Sequence, residues 1–183
     1  MQSLTTDQYQ TIIRTIREGR HGLRANPRIA AALTVEANLG IRIGDVVKLR
    51  LSDIIIDGGR YRLNIREEKT GKKRTFTVPS AVYEFLRSYA TSNGIAPDER
   101  LFPITVRAVQ KHLKSVCDAL GYTNVSTHSF RKWYATDIYN NSGHDIVLVQ
   151  TLLQHSSPNI TRRYIGISEE KVEQAIANHV MIA

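Results

Sequence analysis

The sequence has a single cysteine, Cys117, so no internal disulfide framework is available and a reducing cytoplasm is the expected setting. Cys117 shares an apolar helical register with Val116 and Leu120 and is read as a core residue. No apolar run reaches the roughly 20 residues that a bilayer span needs. The N-terminus MQSLTTDQ lacks the basic-then-apolar order of a secretion signal. Internal repeats and low-complexity segments are also missing. The six histidines show neither H-E-x-x-H nor Cys/His ligand spacing. The acidic residues are scattered or adjacent in sequence, unlike a two-metal nuclease site. Neither a metal nor another cofactor is expected, and His21, His112, His144 and His179 are read as surface or packing residues.

What is present suits one domain. A chain of 183 residues can bury a sizeable core, and 42% hydrophobic residues argue against disorder. The net charge of +8 points to a polyanionic partner. Nucleic acid ranks ahead of a membrane surface, because no long basic amphipathic segment appears. Such a charge also serves solubility alone, and composition does not choose between the two.

Local patterns predict a mainly helical chain with one small antiparallel β element. Thr5 and Gln8 form a capping-box pattern that opens a helix through about Arg17, followed by Gly19 and Gly22. Pro27 starts an alanine-rich helix that Gly40 stops. The segment IGDVVKLRLSDI after Arg42 reads as a third short helix ending near Asp53. In RYRLNI, Tyr61, Leu63 and Ile65 alternate with Arg60, Arg62 and Asn64, which is strand periodicity. EEKTGKK is a turn and RTFTVP the returning strand, within a hairpin or sheet near residues 54 to 78. Further helices are expected at 80 to 92, 105 to 119, 127 to 140, 145 to 154, 157 to 165 and 168 to 179.

Four places carry candidate chemistry. In THSFRKW, His128 and Arg131 stand three apart at a helix start, where unpaired backbone N–H groups favour an anion. LLQHSSPNITRRYIG supplies His155 and then Tyr164 on a two-turn helix closed by Gly166, an element able to present a nucleophile. Arg42 follows Gly40 at a helix boundary, with Asp45 three residues on to steady its guanidinium stem. Lys69 lies in the turn of a hairpin that holds seven lysines and arginines against two glutamates between residues 60 and 74. Taken singly, each has a bland reading: a solvated cap, a half-buried tyrosine, a solvated hairpin.

Taken in order, Arg42, Lys69, His128-x-x-Arg131, His155 and Tyr164 resemble the catalytic domain of the tyrosine recombinases, the phage-type integrases and Xer-like enzymes. NLGIRIGDVVKLRLSDI resembles the family's first arginine box, EEKTGKKRTFTVP its lysine hairpin, and THSFRKWYAT with LLQHSSPNITRRYIG its second box. The resemblance runs from about residue 27 to 168. Two departures are Lys132, where the family often has histidine or arginine, and Gln154, where glycine is common. Neither removes a candidate catalytic group.

The resemblance implies a mainly α fold with a small antiparallel sheet and a site-specific DNA recombinase without metal or ATP. Tyr164 would form a 3′-phosphotyrosyl bond, and Arg42 and Arg131, whose guanidinium groups hold phosphate oxygens in pairs, would neutralise the phosphate. His128 would assist proton removal from Tyr164, and His155 would hydrogen-bond the scissile phosphate. Lys69 would protonate the leaving 5′ oxygen, with Lys72 and Lys73 as rivals. Double-stranded DNA at specific recombination sites is the implied partner, bound by four protomers, with a monomer expected in isolation. Residues 1 to 26 read as linker and first helix, and 168 to 183 as a C-terminal helix docking on a neighbour or folding back. The resemblance implies an N-terminal core-binding domain in full-length relatives, for which this chain is expected to have no room, and a catalytic fragment is the expectation. A type IB topoisomerase, a non-catalytic DNA-binding module and a metal-dependent nuclease are the rival readings.

Overall fold

The structure, a computed structural model, describes residues 3–153 and residue 161, with Arg74 described by its backbone alone. Contacts divide the chain into two units, the first ending at Tyr134 and the second starting at Ala135, a boundary that falls inside one helix.

The first unit begins with α1 (Thr6–Glu18), whose start is the expected capping box: Gln8 N–H donates to Thr5 Oγ1 at 3.1 Å, and Thr5 N–H donates to Gln8 Oε1 at 3.0 Å. Ile12, Ile13 and Ile16 recur at helical spacing and are buried. Helix α2 (Pro27–Leu39) is capped by Asn26, whose Oδ1 accepts from Ile29 N–H, and runs through the core. Small alanines at 30, 31, 32 and 37 are all buried there, which lets neighbouring elements approach closely.

Gly40 ends α2 in the left-handed conformation, at φ +58°. Its hydrogen also faces the Tyr134 ring, and a Cβ built there would lie 2.3 Å from Tyr134 Cδ1. Both reasons exclude a side chain at residue 40. Helix α3 (Ile43–Val46) is a single turn and stops short of the Asp53 expected from its pattern. The following backbone pairs elsewhere: Leu101 N–H donates to Leu49 O, Ser52 N–H donates to Pro97 O, and Arg50 bridges to Arg100. A short 3-10 turn at Leu51–Asp53 then leads into the sheet.

Strands β1 (Ile54–Asp57), β2 (Arg60–Arg66) and β3 (Lys73–Thr77) form an antiparallel sheet in the order β1-β2-β3. Leu63 stands opposite both Ile54 and Phe76 and is fully buried. Tyr61 stacks on Tyr83 of α4 (Ser80–Ser92) with ring centroids 3.8 Å apart, anchoring the sheet to that helix. Helix α5 (Val106–Ala119) starts at a Thr105 cap and buries Val109, Leu113, Val116 and Cys117, so the cysteine is a core residue as expected. Burial pushes its thiol up to about 11.

Helix α6 (Thr127–Asn141) enters the core with Phe130, while Trp133 packs against its edge. Tyr9 of α1 stacks on Trp133, centroids 4.7 Å apart and planes 9° from parallel, and meets Phe130 edge-on at 6.1 Å. Such aromatic pairs add about 0.5–1.5 kcal/mol each beyond the area they bury. They set the rotation of α6, so that His128 is exposed while Arg131 is buried.

The second unit holds the rest of α6 and α7 (Ile146–Leu153). Gly143 and His144 turn the chain with positive φ, and Asp145 Oδ1 accepts from Leu148 N–H at 2.9 Å as the cap of α7. Val149 and Leu153 of α7 are buried. The helices expected at 157 to 165 and 168 to 179 lie outside the described residues, Thr161 excepted, which is helical and buried. Among the described residues no helix is long and apolar enough to cross a membrane.

Candidate active site

Arg42 is the residue on which α3 begins, and its side chain does not cap that helix. The guanidinium instead reaches the hairpin: Nη1 donates to Glu67 Oε2 at 2.5 Å. The Arg42 side chain is 20% exposed and that of Glu67 is 0%. Thr70 Oγ1 donates to the same Glu67 oxygen at 2.9 Å. The sequence reading gave the steadying role to Asp45. Asp45 Oδ1 accepts the Glu68 N–H at 2.9 Å, so it ties α3 to the hairpin, and Glu67 is the carboxylate hydrogen-bonded to the guanidinium. A single arginine can donate five hydrogen bonds, so one bond to Glu67 leaves donors for a phosphate.

Lys69 stands on the turn between β2 and β3, where Gly71 N–H donates to Glu67 O and Glu67 N–H donates to Lys72 O, each at 2.9 Å. Lys69 and Lys72 are exposed there.

His128 and Arg131 share the first turns of α6. Arg131 is 2% exposed, and its Nη1 donates to Gly40 O, the carbonyl at the end of α2. The arginine of the second box is thus seated on the backbone just before the arginine of the first. His128 titrates below the ordinary imidazole range: desolvation is the largest cause, followed by the positive charges of Arg131, Lys69 and Arg42. Those three cations are close enough for their charges to act on one imidazole. The Arg42–Glu67 and Arg131–Gly40 hydrogen bonds tie the hairpin turn and α6 to the same α2–α3 connection, so four of the six residues singled out in the sequence lie in one region. The other two, His155 and Tyr164, lie outside the described residues.

Sequence reasoning missed two buried carboxyls at this place, Glu67 and Glu36. Glu67 looked like part of a solvated turn. Glu36 is the only acidic residue of α2, which is a signal that was available. Its Oε1 accepts the Ile43 N–H at 3.1 Å, next to Arg42. Burial pushes its acid group well above the usual carboxylate range, against the opposing pull of Arg131 and the Ile43 N–H.

With this geometry in place, comparison with known proteins is informative. A family model described as the phage integrase family matches residues 2–171. A probable integrase/recombinase, YoeC of Bacillus subtilis, is 30% identical over 145 residues, covering 75% of this chain and 77% of that protein. The tyrosine recombinase XerC of Xanthomonas axonopodis is 30% identical over 170 residues, covering 89% of this chain and 53% of XerC. The chain thus spans about half the length of that XerC relative. Among solved structures, XerH bound to a palindromic difH substrate in a post-cleavage complex matches with a TM-score of 0.68 at 20% identity, covering 96% of this chain and 52% of that one. The catalytic domain of bacteriophage HP1 integrase matches with a TM-score of 0.67 at 17% identity, covering 98% of this chain and 95% of that one. These structural matches bear out the mainly α fold with a small antiparallel sheet.

Proposed function

The chain belongs to the phage integrase family, and on that premise we propose that it cleaves and rejoins double-stranded DNA at specific sites through Tyr164. The observation that carries this reading is that Arg42 bonds to the hairpin carboxylate Glu67 and Arg131 to Gly40 O two residues before Arg42, with the charges of Arg42, Lys69 and Arg131 all acting on His128.

Arg42 and Arg131 hold the non-bridging oxygens of the scissile phosphate and offset the charge that builds on them in the transition state. Tyr164 Oη attacks phosphorus while its proton passes to His128. Desolvation first, and then the nearby cations, favour the neutral imidazole that can accept it. The P–O5′ bond breaks, and Lys69 gives the leaving oxygen a proton. The charge of Lys69 acts on His128, which supports it for this step, with Lys72 and Lys73 as rivals. His155 hydrogen-bonds the phosphate. The Tyr164–phosphate bond retains the phosphodiester energy, so attack by another 5′ hydroxyl reseals a strand without ATP.

The DNA partner is supported by the net charge of +8 and by the solved structures of XerH bound to a difH substrate and of a lambda integrase dimer bound to a core site. Assembly of four protomers on two sites is part of the same proposal.

The test is a nicked duplex that carries a cognate site and traps the covalent intermediate, incubated with the protein in EDTA and run on a denaturing gel. The expected outcome is an EDTA-resistant adduct that is absent with Tyr164→Phe. Loss of all activity in EDTA identifies a metal-dependent nuclease instead, and relaxation of supercoils without exchange between two sites identifies a topoisomerase.

A further inference from the structure

Helix α2 carries three polar side chains in its second half, and two of them are satisfied on the helix itself. Thr34 Oγ1 donates to Ala30 O, and Asn38 Nδ2 donates to Thr34 O. Glu36 is different: it is 0% exposed and its side-chain bond goes to a residue beyond its own helix. Its Oε1 accepts the Ile43 N–H, whereas Oε2 is buried with no hydrogen-bond partner among the described residues. A buried carboxyl with an unmatched oxygen lowers stability, and a leucine of similar size would avoid that loss. Packing alone does not account for a glutamate here.

Its contacts do. Ile43 is the first residue of α3, and the N–H groups at a helix start have no partner within the helix. The side chain of Arg42, the residue before it, makes no capping bond, so Glu36 caps α3 from the preceding helix. The Glu36 backbone carbonyl accepts Gly40 N–H at 3.0 Å. One residue therefore fixes both ends of the Gly40–Ile43 connection. Arg42 projects from that connection, and Arg131 donates to its Gly40 carbonyl.

We propose that Glu36 is a positioning residue for strand cleavage, its Oε1 holding the Gly40–Ile43 connection that carries Arg42 and receives Arg131. The assignment rests on the recombinase reading given above. Burial, which disfavours the charged form of this acid, fits the role: it weakens any competing anion beside Arg131, and the carboxyl accepts from Ile43 N–H in either form.

The experiment compares Glu36→Gln, which keeps the acceptor, with Glu36→Met, which keeps the length and loses it. Single-turnover adduct formation is measured on a nicked duplex and on the same duplex with a methylphosphonate at the scissile position, with DNA affinity and thermal melting alongside. Glu36→Gln is expected within about threefold of the parent rate, and Glu36→Met at least about tenfold slower with DNA affinity within about twofold. The Glu36→Met deficit shrinks on the methylphosphonate, which lacks the phosphate charge that well-placed arginines neutralise. A Gln variant as slow as the Met variant, a Met variant at the parent rate, or equal deficits on both duplexes overturns the proposal. A parent that forms no adduct, or a Tyr164→Phe variant that does, overturns the recombinase reading and this assignment with it, and that result is separate from the Glu36 comparison.

Discussion

Arg42 and Glu67 are 25 residues apart in sequence and joined by a 2.5 Å hydrogen bond in which the carboxylate is fully buried. The pair links the start of α3 to the turn that carries Lys69. Two proposed catalytic groups, one expected on the phosphate and one on the leaving oxygen, are therefore held together by this ion pair, with the Asp45–Glu68 hydrogen bond beside it.

Replacing Glu67 should disturb both. Glu67→Ala leaves the Arg42 guanidinium and the Thr70 hydroxyl without this acceptor. Removing one member of a buried pair costs about 3–5 kcal/mol, and the partial exposure of Arg42 places this case at or below the lower end. Denaturant unfolding should show a loss of about 2–3 kcal/mol, with adduct formation slowed at least about tenfold. Full stability in Glu67→Ala would show that Arg42 finds an equivalent partner.

His128 sets the pH dependence. Its pKa in the folded protein is depressed, so the neutral base persists below the ordinary value of about 6.5. The acid limb of cleavage against pH should lie below that value. Lys69→Met removes one depressing charge, so in the slow residual reaction the limb moves to higher pH. The linkage has the same sign: a group that binds protons less well when folded contributes stability that is lost as pH falls from the ordinary value through the depressed one. His128→Gln should abolish the limb, and a limb that persists unchanged in that variant belongs to another group.

Much of this was legible in the sequence, because the signals were local. Thr5 with Gln8, Asn26 with Pro27, and Gly40 each satisfy or stop a helix within a few residues, and those boundaries agree with the structure to within about a residue. Helix α3 was expected to reach Asp53 because residues 43 to 53 keep a helical apolar pattern. Residues 49 and 52 instead pair with backbone at 97 and 101, a contact that no local pattern encodes. The roles of Glu36 and Glu67 were hidden for the same reason. The spacing of His128 and Arg131 predicts a shared helix face, yet the aromatic contacts of Tyr9 leave one exposed and bury the other.

Arg131→Lys is expected to fold and to cleave poorly. The residue is 2% exposed and its guanidinium donates to Gly40 O, so that donor is not available to the phosphate. A lysine that satisfies Gly40 O has a compact charge and no second planar pair of donors. Loss of one transition-state donor costs about 10²–10³ in rate. Single-turnover cleavage should fall by about that factor with little change in DNA affinity, whereas a drop confined to affinity would assign Arg131 to ground-state binding.

Gly40 is the most sensitive position of the connection for stability. At φ +58° an alanine costs about 1–2 kcal/mol in backbone energy alone. Its Cβ would also meet the Tyr134 ring at 2.3 Å, closer than any real contact, so the ring or the end of α2 has to move. Moving α2 shifts the carbonyl that holds Arg131, and moving Tyr134 displaces the first half of α6. Gly40→Ala should therefore lower the melting temperature and slow cleavage together. Tyr134→Ala on top of Gly40→Ala separates the two contributions. The double variant should regain the stability lost to the clash and keep the loss due to φ, as a thermal-melt cycle of the four proteins would measure. If the double variant regains nothing, the backbone conformation alone makes Gly40 irreplaceable.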